Sequence, residues 1–194
     1  TTMSGSASFQ VGAVDGSAIT EKVTATYSYD IDLNTTFTGD DNLYVGIETG
    51  NSSTSIDFTL DSSGDGGNTL NVTSLYYQFP LGSYEVAVGA ELDTDDLMPT
   101  TTSKYSDSFF FGSQYGLATN YFASQGTGAG FAVAKTFDNG FNASGSIIAT
   151  GASTSGILTD AGIDVLTFSL GYDADNYGGG IIYQKSDSLC TLYG

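Results

Sequence analysis

The sequence predicts an all-β chain of antiparallel strands forming a transmembrane barrel. The expectation rests on strict two-residue alternation, strands near the length of a bilayer crossing, and connections that alternate between short and long. In residues 23–34, Val23, Ala25, Tyr27, Tyr29, Ile31 and Leu33 share one parity, and Thr24, Thr26, Ser28, Asp30, Asp32 and Asn34 the other. Successive strand side chains point to opposite faces, so this segment has one apolar and one polar face. Globular strands run to about 5–6 residues and tilted membrane strands to about 9–11, which favours the bilayer.

The remaining elements follow in order. Residues 3–14 set Ala7, Phe9, Val11 and Ala13 against Ser4, Ser6, Ser8 and Gln10. Residues 43–50 set Leu43, Val45 and Ile47 against Tyr44, Gly46 and Glu48, and residues 84–92 set Tyr84, Val86, Val88, Ala90 and Leu92 against Glu85, Ala87, Gly89 and Glu91. Further strands are expected at 69–79, 129–137, 141–150, 165–173 and 177–185, and the parity slip between Val72 and Leu75 points to a bulge or to a strand less regular than the rest. Short turns at 38–42, 80–83, 138–140 and 173–176 alternate with long connections at 15–22, 51–68, 93–128 and 151–163. Outer-membrane barrels sort their connections in this way. Nine strands is an odd number, whereas closed bacterial barrels have even ones, so the expectation is one domain over residues 1–194 holding an incomplete barrel of nine or ten strands. A further alternation of Ile56, Phe58 and Leu60 would add to that count.

Composition removes other classes. The 194 residues carry a formal net charge of −18, with lysines only at 22, 104, 135 and 185 and no arginine, histidine or tryptophan. Nucleic acid is not an expected partner, since its binding depends on cations that neutralise phosphates. Without histidine the usual serine or cysteine hydrolase site cannot be built, and with Cys190 as the only thiol no intrachain disulfide can form. Acids are many but no pair stands out as a glycosidase dyad, so no enzyme is expected. Asp61, Asp65, Asp93, Asp95 and Asp96 fit no EF-hand spacing and read as solvated turn acids, so no metal or cofactor is expected either.

Particular strings resemble a family. TTMSGSASFQVGA at the start, DLNTTFTGDDNLYVGIETGN, LYYQFPLG, and a run over 140–188 containing GILTDAGIDV and DNYGGGIIYQKSDS are similar, in order and spacing, to the barrel region of cyanobacterial outer-membrane porins, the carbohydrate-selective or iron-uptake porins. The resemblance implies an antiparallel barrel of the porin type in the outer membrane. It also implies a water-filled channel for passive diffusion of small hydrophilic solutes, among them ions, carbohydrates and inorganic iron. Members carry a surface-layer-homology domain and a coiled coil before a barrel roughly twice this length, and porins usually assemble as homotrimers. The implied object is therefore the first half or so of such a barrel.

In a porin the apolar parity meets outer-membrane lipid and the polar parity lines the channel. Asp30, Asp32, Glu48, Glu85 and Glu91 are then pore-lining, and so acidic a lumen should prefer cations. A soluble antiparallel sheet would instead turn the same acids to water. The connection over 93–128 holds Asp93, Asp95, Asp96, Phe109, Phe110 and Tyr115 and is expected to fold inward as a constriction loop. Tyr84, Phe137, Phe141, Tyr172 and Tyr177 flank short turns, where an interfacial aromatic girdle belongs. The competing expectation is a secreted soluble β-sandwich, a carbohydrate-binding or adhesion module.

Overall fold

Period-two alternation resolves into nine strands in the computed structural model, which describes residues 1–14, 22–51, 67–99, 127–159, 162–175 and 177–186. The strands are β1 (Thr2–Val14), β2 (Lys22–Thr35), β3 (Asn42–Gly50), β4 (Asn71–Leu81), β5 (Tyr84–Leu92), β6 (Gly128–Thr136), β7 (Phe141–Thr150), β8 (Ile163–Asp173) and β9 (Gly178–Ser186). Each expected strand is present with its bounds shifted by two residues or fewer. All nine reach at least nine residues, the length a bilayer crossing demands. One short helix, α1 (Ala152–Ser155), lies in the connection between β7 and β8. Among the described residues no helix is long and apolar enough to cross a membrane, which says nothing of a β-barrel.

The strands form one antiparallel sheet in sequence order, β1 to β9. β1 and β9 end that order, each with a neighbour on one side only. The described ladder is thus an open all-β sheet, not closed into a barrel; the expectation was an incomplete barrel of nine or ten strands. In an up-and-down order consecutive connections fall at opposite strand ends, so the short turns share one end and the long connections the other.

The chain divides into two compact units: residues 1–36 with 43–75, and residues 37–42 with 76–194. In the first unit, β1 and β2 pair without interruption from Thr2↔Asn34 to Val14↔Lys22, and β2 pairs β3 from Ser28↔Gly50 to Thr35↔Leu43. Directly opposed residues share a face, so Phe9↔Tyr27, Ile31↔Ile47 and Leu33↔Val45 make a continuous apolar surface. That surface is open rather than packed: Val23 is 73% exposed.

The second unit keeps the pattern over β5 to β9. Phe131↔Ile147↔Leu166 and Leu170↔Ile181 lie on one face, and Ala132↔Ser146↔Thr167↔Gln184 on the other. Here the face with the larger apolar side chains is the open one, and the face with small and hydroxyl side chains is the buried one. Phe168 is 51% and Ile181 74% exposed, while Thr167 keeps 2% and Ser169 6% of its surface. A core of Ala87, Leu92, Leu97, Ala132, Ala134 and Ile148, with Tyr76 against it, covers this second face. Gly130 makes room for it, because a Cβ there would collide with the Ile148 side chain opposite.

One register shift breaks the β5–β6 ladder, between Gly89 and Leu92. It brings Leu92 opposite Gly128, onto the face of Ala87 and Ala132. The expectation that Leu92 shares the apolar parity of Val86 and Val88 is therefore corrected: a bulge inserts a residue, and alternation does not carry across it.

Candidate functional site

β2 and β3 position three carboxylates on the polar face of the first unit. Asp30 stands directly opposite Glu48, and Asp32 lies opposite Gly46. Like charges facing each other across a ladder are destabilising, so this pairing is a place where the chain gives up stability. Hydroxyl groups partly offset the cost. Ser6 Oγ donates to Asp30 Oδ2 at 3.0 Å, Ser4 Oγ to Asp32 Oδ2 at 3.4 Å, and Tyr44 Oη to Asp32 Oδ1 at 2.7 Å. Without a side chain at Gly46, Tyr44 Oη, Thr73 Oγ1 and Ser74 Cβ can gather there; a Cβ would lie 3.2 to 3.3 Å from each. The result is a hydroxyl-lined acidic surface suited to holding hydrated cations loosely, while its one-sided charge disfavours anions.

The other two predicted pore-lining acids belong to the second unit. Glu85, opposite Ala134, is exposed near the short-turn end and accepts a 3.5 Å hydrogen bond from Gln78 Nε2. Glu91 falls in the irregular stretch of β5, so parity with Glu85 does not fix its face. Within the first unit the structure thus brings together Asp30, Asp32 and Glu48.

Of the expected constriction loop, residues 93–99 and 127–128 are described, and Phe109, Phe110 and Tyr115 lie outside the described residues. The described start turns back onto the small-residue face. Leu97 enters the core beside Ala87 and Ala132, and Ser146 Oγ donates to the Thr94 carbonyl at 3.2 Å. A local knot of acids shapes the turn: Asp93 Oδ1 accepts from the Thr94 N–H at 2.6 Å and Asp96 Oδ2 from the Asp93 N–H at 2.7 Å. Loss of water around Asp96 pushes its carboxyl up to about 6, against the hydrogen bond from Asp93 and helped by the charges of Asp93 and Asp95.

Sequence reasoning missed Asp41. It is 6% exposed, accepts the Phe37 and Thr38 N–H groups at 3.0 and 2.8 Å, and receives the Tyr77 hydroxyl at 2.5 Å. Its place in TGDDN reads as one more turn acid, and nothing local separates it from Asp40. Lys135 was missed too. It stands on the apolar parity opposite Ala143, at the short-turn end among aromatic rings. Phe141 and Tyr172 pack at 4.8 Å between centroids and Tyr172 and Tyr177 at 5.9 Å, so the residues expected in a girdle do associate at that end. Among the described residues no group of three or more acids, cysteines or histidines is arranged to hold a metal ion.

No protein-family model matches the chain, and no curated protein matches it.

Proposed function

We propose that this chain builds part of a porin-type β-barrel in an outer membrane, a water-filled channel through which small hydrophilic solutes and cations diffuse passively without covalent chemistry. The pattern of burial carries the proposal. In the second unit phenylalanine, leucine and isoleucine stand open on one face, while serine, threonine and asparagine are buried on the other beside a core of alanine, leucine and isoleucine; large apolar side chains left open are expected where the outer solvent is lipid. A sheet stable in water alone would have reversed that choice. Asp30, Asp32 and Glu48 supply the acidic channel wall and give cation preference. The inward turn of residues 93–99 supports a constriction role for the 93–128 connection. Homotrimeric assembly, and the carbohydrate or inorganic iron cargo of the resembled family, belong to the same proposal.

Reconstitution into planar bilayers under a salt gradient tests it. Discrete conductance steps with a reversal potential on the cation side are expected. A chain that stays monodisperse in buffer without detergent and opens no conductance would overturn the reading in favour of the secreted β-sandwich.

A further inference from the structure

We infer that Lys135, with Ser83, Tyr84 and Phe137, forms a docking site for the phosphate of a membrane phospholipid at the short-turn end of the apolar face. The inference rests on the membrane reading above. Lysine is costly on a lipid-facing surface, yet Lys135 shares the parity of Phe131 and Val133 and stands opposite Ala143, which lies beside Leu170. Its position near the end of β6 lets the stem lie over apolar neighbours while the ammonium reaches the boundary with water.

What surrounds the ammonium fits an anion from the lipid side. Nζ lies 4.7 Å from the Tyr84 ring centroid and 5.0 Å from that of Phe137, and donates to Ser83 Oγ at 2.8 Å. Two rings and one hydroxyl hold the charge in place without neutralising it, and among the described residues no carboxylate pairs with it. In a chain of net charge −18, a localised cation on the apolar face is complementary to a phosphate and to little else nearby. Small Ala143 beside it leaves a low place on the face, flanked by Val133 and Leu170, over which an acyl chain can lie. Phe141, Tyr172 and Tyr177 continue the aromatic band on the same edge, at the depth where headgroups sit.

The test is native mass spectrometry of detergent-purified protein titrated with phosphatidylglycerol, run alongside insertion into vesicles of phosphatidylethanolamine and phosphatidylglycerol. Lys135→Gln should weaken lipid retention about fivefold, the change one lysine commands near a charged lipid surface. Lys135→Arg should keep it, and Lys185→Gln, near the opposite strand end on the same face, should leave it unchanged. Equal loss in Lys185→Gln, no loss in Lys135→Gln, or full competition by millimolar inorganic phosphate would overturn the site while leaving the membrane reading intact. Wild-type protein that fails to enter the vesicles would overturn both.

Discussion

The non-apolar faces of the two units come from the same alternation and end in opposite states. In the first unit the part of that face carrying Ser4, Ser6, Asp30, Asp32 and Glu48 is left to water and hydroxyl partners, while Thr26 farther along it is buried. In the second the face carries Ala87, Ala132, Ser146, Ile148 and Thr167 and is dry, closed over by Leu92 and Leu97. Parity therefore assigns a face, but side-chain size and charge decide what fills it. Alanine and glycine leave a hollow that the chain's own leucines occupy, and opposed carboxylates repel any apolar cover.

The largest expected effect sharpens that contrast. Ile148→Ala, in the dry face, should cost about 2–5 kcal/mol in detergent-based chemical unfolding. Ile181→Ala, on the exposed apolar face, should change the same midpoint by about 0.5 kcal/mol or less. Equal losses would mean that the exposed face is packed after all.

Next comes the outer surface. Phe168→Arg should reduce the free energy of folding into bilayers by about 2–4 kcal/mol, as arginine does near mid-membrane, whereas Ser28→Arg, beside Asp30, should be far milder. A reversed order in vesicle refolding titrations would break the assignment of faces.

A smaller change is expected from Asp30→Asn combined with Glu48→Gln. Removing the opposed charges should raise stability by about 0.2–1 kcal/mol and move the reversal potential toward zero. Loss of stability would show that the carboxylates hold the face together rather than leave it strained.

The last comparison concerns pH. Because the folded chain raises Asp96 from 3.8 to about 6, it holds a proton there through a window in which the unfolded chain has released it. Stability should therefore fall as pH rises across that window, and Asp96→Asn should flatten the profile. A midpoint that climbs with pH in both proteins would contradict the crowded environment assigned to Asp96.

Much of this was legible in the residues. Tyr84–Leu92 and Phe141–Thr150 have the bounds that alternation predicts, since two-residue periodicity is local and needs no partner. The acids of β2 and β3 were legible by parity as well. Their grouping was not, because opposing Asp30 to Glu48 depends on a register set by residues far apart in sequence. Asp41 and Lys135 escaped for a related reason: each owes its role to a side chain from another strand, Tyr77 for one and Tyr84 for the other.

By itself, the order of residues determined where the nine strands of the described residues would run, which face of β1 to β3 and β6 to β9 would be apolar, and which turns would be short. Tertiary structure decided that a bulge turns Leu92 to the opposite face, that residues 93–99 fold back to cover Ala132, and that three carboxylates share one surface. The division follows from backbone geometry. Alternation is a property of each strand alone, whereas register, bulges and docking are fixed by pairing between strands, and a slip of one residue would send every side chain to the other face.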